Sequence, residues 1–91
     1  LKRMGLESKV SSIIQTSEML PAASQGAIGV ACRTRDAKII DLLKRISHED
    51  TMVAVSCERA MLEELCGNCQ TPIAGLAEIA SGTITLRGFL A

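Results

Sequence analysis

At Pro72 the hydrophobic pattern of this chain changes period, and that change constrains the fold more than any other feature. Before it, apolar residues recur at helical spacing. After it they alternate: Ile73, Gly75, Ala77 and Ile79 share one side of a strand, and Ala74, Leu76 and Glu78 share the other. Ser81-Gly82 is a two-residue hairpin signal. Residues 83–90 read as the return strand, with Ile84, Leu86 and Gly88 opposite Thr85, Arg87 and Phe89. Helices followed by a hairpin specify an α+β unit, and a lone hairpin wants a further partner.

Upstream, Asp36 is a good N-cap for a helix over residues 37–46, whose Ile39, Ile40, Leu43 and Ile46 fall on one stripe. Lys44 and Arg45 in its last turn suit the helix dipole. Ser47 and His48 interrupt the pattern. A second helix follows, capped by Thr51 or Asp50. Met52, Val55, Cys57, Ala60, Met61, Leu62 and Leu65 supply its buried side; Glu58, Arg59, Glu63 and Glu64 supply its polar side; Gly67 ends it. Residues 26–33 (GAIGVACR) are small or β-branched on both faces, as in a strand buried on both sides of an α/β unit. Residues 1–14 read as an amphipathic helix broken near Gly5 and Ser11-Ser12, and residues 15–25 as a connection.

Composition narrows the function classes. Ten basic and ten acidic residues in 91 give zero net charge, which argues against an electrostatic grip on nucleic acid or an acidic membrane. Phe89 is the single aromatic, too few for a base-stacking platform. With 47% hydrophobic and 22% charged residues the chain is on the folded side of the disorder boundary. No apolar run approaches the roughly 20 residues of a membrane helix. The chain opens at Leu1 inside a helical pattern, so it is expected to be a piece of a longer protein. Its four cysteines, 32, 57, 66 and 69, carry no secretory signal with them, and a reduced compartment is expected. Cys32 and Cys57 sit in apolar patterns and read as small buried hydrophobes.

Cys66-Gly67-Asn68-Cys69 is the strongest local feature. A thioredoxin-like redox pair belongs at a helix start, where the dipole lowers the thiol pKa; this one follows a helix end. A zinc site needs four ligands; besides Cys57 and Cys32, which lack ligand spacing, His48 is the one other plausible member. A small thiol or metal-binding module using Cys66 and Cys69 is the alternative to the reading below, and two unremarkable loop cysteines are the plain one.

The string Leu20-Pro21-Ala22-Ala23-Ser24-Gln25-Gly26-Ala27-Ile28-Gly29-Val30-Ala31-Cys32-Arg33 resembles the LPAxxQGAxGxxCR signature of the porphobilinogen deaminases, also called hydroxymethylbilane synthases. His48-Glu49-Asp50-Thr51 resembles the family's H-x-[ED]-T, Cys57-Glu58-Arg59-Ala60 its [AC]-E-R-A, and Gly67-Asn68-Cys69-Gln70-Thr71-Pro72-Ile73 its G-[GS]-C-x-x-P-[IV]. Residues 1–7 are similar to the family's LKRLGLE. The resemblance spans nearly the whole chain in the family's order.

That resemblance implies a three-domain enzyme of which this chain is part: residues 1–19 end domain 2, residues 20–46 return through a strand and helix to doubly wound domain 1, and residues 47–91 begin the small antiparallel-sheet domain 3. It implies that Cys69 holds a dipyrromethane cofactor through a thioether. Porphobilinogen units would add to this primer, with loss of ammonia, to give the linear tetrapyrrole hydroxymethylbilane for porphyrin biosynthesis. Gln25 and Gly26 match cleft-lining positions, against the plainer reading of a turn glycine. Arg33 and Arg59 match basic positions suited to the acetate and propionate groups of pyrroles, against a structural ion pair for Arg59. His48 is expected to start a helix or serve a domain hinge. The catalytic aspartate and most substrate-binding arginines would lie upstream, so no catalytic residue and no metal ligand is assigned here, and this stretch alone is expected to be inactive. The complete enzyme is expected to be a monomer in the cytoplasm, with the plastid as the alternative. Two positions depart from the family pattern: Cys66 adds a second thiol near Cys69, and Asn68 stands where Gly or Ser is usual.

Overall fold

The computed structural model describes residues 1–65 and 72–91. Among these, helix α1 (Ala37–Ile46) and helix α2 (Glu49–Glu64) precede strands β1 (Ile73–Ala80) and β2 (Thr83–Leu90), which pair antiparallel from Ile73↔Leu90 to Ala80↔Thr83. Ser81 and Gly82 both have positive φ, 51° and 74°. Two successive left-handed residues make the turn whose twist matches that of the strands, so the two-residue signal and the register agree.

Helix α2 lies on one face of the hairpin. Ala54, Val55, Cys57, Glu58, Met61 and Leu62 form its covered stripe, at i, i+1, i+3, i+4, i+7 and i+8. This corrects the sequence reading in both directions: Met52, Ala60 and Leu65 are exposed, and Glu58 is buried at 4% exposure. Beneath the helix, Gly75 and Gly88 stand directly opposite one another across the strands. A Cβ at Gly88 would lie 2.7 Å from Met61 Sδ, and one at Gly75 would overlap Met61 Cε. The two missing side chains make the cradle that the Met61 thioether fills.

The start of α2 differs from the expected Thr51 or Asp50 cap and agrees with His48 as a residue that starts a helix. Its N-cap is His48, whose Nδ1 accepts from the Thr51 amide at 3.2 Å and lies 2.7 Å from the Thr51 hydroxyl. The His48…Thr51 pair of the sequence motif is therefore a capping pair. The end expected at Gly67 lies outside the described residues; the helix closes at Glu64 with Leu65 as its C-cap.

Helix α1 has the predicted bounds. Asp36 Oδ1 accepts from the Ile39 amide at 3.4 Å, and Arg33 sits 3.5 Å from the same carboxylate. Asp36→Ala is expected to cost α1 about 0.5–1 kcal/mol and to speed hydrogen exchange at the Ile39 amide; unchanged exchange there would mean that this long bond contributes nothing.

Two upstream expectations fail. Residues 1–14 form two short 3-10 turns, Lys2–Met4 and Glu7–Lys9, and not a helix. Gly5 at φ 67° stops the first turn, and the apolar residues Met4, Ile13 and Ile14 remain exposed, so no packing supports a longer helix. Among the described residues, 26–33 pair with no strand: Ile28 is 93% exposed and Val30 61%, and Cys32 is exposed, not buried. A strand patterned for burial on both faces needs neighbours on each side, and the described residues offer none. Among the described residues no helix is long and apolar enough to cross a membrane.

Candidate functional site

The turn that carries Gln25 and Gly26 is held against the hairpin by one carboxylate. Glu58 Oε2 accepts from the Ser24 amide at 3.0 Å, and Glu58 Oε1 accepts from the Ala77 amide at 2.9 Å. Antiparallel pairing leaves the amides of Gly75 and Ala77 on the open edge of β1. Pro21 takes the first through its carbonyl, at 3.0 Å, and Glu58 takes the second. The segment around Pro21 thus covers an edge that would otherwise present free donors. A buried carboxylate is costly unless its oxygens are satisfied, and here each oxygen has an amide. Hydrogen bonds to charged groups are worth about 1.5–3 kcal/mol each, so this pair offsets much of the desolvation.

Locally the turn is tightly wound. The Gln25 amide donates to Ala22 O at 3.0 Å and the Ala27 amide to Ser24 O at 3.1 Å. Ser24 has φ 65°, a strained value for a residue with a Cβ, and its amide is the one that Glu58 fixes. Gly26 has φ 86°, and no atom lies within 4 Å of where its Cβ would be. The turn therefore needs glycine for its backbone and leaves open space beside it. Gln25 and Gly26 are exposed.

The remaining candidates are dispersed. Arg33 is exposed and pairs with Asp36. Arg59 is exposed on α2, next to the buried Glu58 in sequence, and among the described residues it makes no ion pair. Cys66 and Cys69, with Gly67 and Asn68, lie outside the described residues. Their flanks are described: α2 leads into them and β1 leads out.

On the far face of the hairpin, segment 16–22 lies over the strands, and an open cleft of about 830 Å³ separates them. Met19, Leu20, Pro72, Ala74, Arg87 and Phe89 are among its walls. Arg87 holds the segment there, donating to Thr16 O and Thr16 Oγ1 at 3.3 Å each and to Glu78 at 3.2 Å. None of Gln25, Gly26, Arg33 and Arg59 lines this cleft. Sequence reasoning missed both Glu58 and Arg87 as organisers. A glutamate among apolar helix positions, directly before the motif arginine, was the available signal for the first; Arg87 gave none.

Residues 1–41 match the family model described as "Porphobilinogen deaminase, dipyromethane cofactor binding domain", and residues 52–91 match "Porphobilinogen deaminase, C-terminal domain". The chain belongs to the porphobilinogen deaminase family. The chloroplastic porphobilinogen deaminases of Pisum sativum and Oryza sativa are each 47% identical to it across its whole length, and the porphobilinogen deaminase of Syntrophomonas wolfei is 42% identical. The chain spans 25%, 26% and 30% of the lengths of those three relatives. Within the family match, the turn at Gln25-Gly26 falls in the cofactor-binding domain, and Glu58, Cys69 and the hairpin fall in the C-terminal domain. The Glu58 hydrogen bonds to Ser24 and Ala77 therefore run between and within the two matched parts.

Proposed function

We propose that this chain is the cofactor-bearing portion of a hydroxymethylbilane synthase, which condenses porphobilinogen units into a linear tetrapyrrole. Identity of 42–47% along the whole chain to proteins named porphobilinogen deaminase carries the reading. The domain assignment stays as the sequence suggested: residues 1–19 close domain 2, residues 20–46 return to domain 1, and residues 47–91 open domain 3.

The residues present fit a dipyrromethane. Cys69 offers a thiol for a permanent carbon–sulfur bond, in a stretch flanked by α2 and β1. The open space beside Gly26 accommodates a flat ring against backbone, and Gln25 brings an amide side chain to the same turn. Arg33 and Arg59, both exposed, suit the acetate and propionate carboxylates of pyrroles. When bound, the dipyrromethane supplies the free pyrrole position to which porphobilinogen adds with loss of ammonia. The chain's own part is to anchor, orient and neutralise. Groups that move protons are assigned to the rest of the enzyme, and so is the greater part of porphobilinogen binding. The comparisons do not favour a stand-alone thiol or metal-binding module at Cys66 and Cys69. The plant relatives are named chloroplastic; a plastid or the cytoplasm is the compartment proposed.

The test is to express the complete protein that carries this stretch, measure hydroxymethylbilane formation from porphobilinogen, and weigh the protein intact. Turnover, with a dipyrrole mass that maps to Cys69, is expected, and the 91-residue chain alone should give no turnover. A complete protein with neither turnover nor adduct would overturn the reading.

A further inference from the structure

We infer that Glu58 is a positioning residue, which locks the pyrrole-facing turn at Gln25-Gly26 to the two elements that flank the cofactor cysteine. The inference rests on the function proposed above. Glu58 stands on α2, the helix that leads into the stretch containing Cys69, and its Oε1 accepts from Ala77 on β1, the strand that leads out of it. Its Oε2 accepts from Ser24, the residue before Gln25. A single carboxylate, buried at 4% exposure, thus joins three parts separated by 34 and 19 residues in sequence. Both acceptors are needed. Only an unprotonated carboxylate offers two equivalent oxygens that take two amide donors without turning a donor of its own toward either.

The geometry also says why a tie is required at this place. Ser24 is held at positive φ, a strained value for a residue with a Cβ, so the turn is not the relaxed conformation of its own residues. Pro21 adds one more bond to β1, but it lies ahead of the strained Ser24. With Glu58 removed, Ser24 keeps only its carbonyl's bond from the Ala27 amide, which lies within the turn, and the Gln25-Gly26 turn is free to drift from the strand. Arg59, next along the helix, makes no comparable bond among the described residues, so within this motif Glu58 is the residue that sets the register of the two parts.

The experiment uses the complete enzyme with Glu58→Gln, which keeps the size of the side chain but turns an NH2 group toward one of the two amides. Adduct on Cys69 is counted by intact mass, and kcat is expressed per mole of adduct. Expected is a kcat roughly 10-fold to 100-fold lower with KM little changed, as for reacting groups that are misplaced but still bound. Hydrogen exchange should accelerate in residues 20–27 while β2 and the middle of α2 keep their protection. An unchanged kcat per adduct refutes positioning, and so does acceleration spread evenly over α2, β1 and β2, which marks general support of the fold. Should Glu58→Gln not fold, the Ser24 amide is replaced by an ester through semisynthesis, removing one donor and leaving the carboxylate. That variant should show the same kcat loss, and full activity in it overturns the inference. If the unsubstituted enzyme carries no adduct and turns nothing over, the functional reading fails, and the exchange pattern still reports whether Glu58 holds the turn.

Discussion

Cys69→Ser in the complete enzyme is expected to abolish the dipyrrole adduct and with it nearly all activity. A cysteine thiol is a few per cent thiolate at neutral pH and is an intrinsically strong nucleophile, whereas a serine hydroxyl needs an activating base; loading should fall by about two orders of magnitude or more. Cys32→Ser and Cys57→Ser are the controls. Cys32 is exposed, and its replacement should leave loading intact. Cys57 is half-buried on the α2 stripe, so serine there should lower stability modestly and leave the adduct in place. The measurement is intact mass after incubation with porphobilinogen, followed by peptide mapping. An adduct that persists at full occupancy in Cys69→Ser, attached to another cysteine, sinks the assignment.

Gly75→Val is expected to be the most damaging single change to the packing. Gly75 is buried, pairs with Gly88, and lies under Met61. The valine Cβ would occupy the space of the Met61 methyl, and its two further methyls meet α2. Such overpacking costs about 2 kcal/mol, a fall in Tm of roughly 8–16 °C for a domain of this size. Met61→Ala alone leaves the cradle empty and costs about 2 kcal/mol by cavity formation. Combined, the two changes should cost clearly less than their sum, with a coupling of about 1 kcal/mol or more, because each removes the partner that makes the other harmful. Simple additivity would show that the glycine pair is not there for Met61.

The parts of this protein that the sequence determined are those governed by neighbours within about four residues. Asp36 capped α1 at the expected place, Ser81-Gly82 set the hairpin and its register, and the period change at Pro72 separated helix from sheet. The motifs around Gln25, His48, Glu58 and Cys69 pointed to the porphobilinogen deaminase family, which the comparisons establish. What the tertiary structure decided are matters of distant partners. Residues 26–33 carry a buried-strand pattern, yet a strand exists only where another backbone pairs with it, and pattern alone supplies none. Residues 1–14 carry helical spacing, but a short amphipathic helix is marginal without a surface to cover its apolar side. Glu58 counts as polar in any periodicity, and a carboxylate belongs in water by default. It is buried because two amides, one 34 residues before it and one 19 residues after, converge on its two oxygens. A carboxylate's burial depends on where its donors end up, and that is settled only when the chain has folded around it.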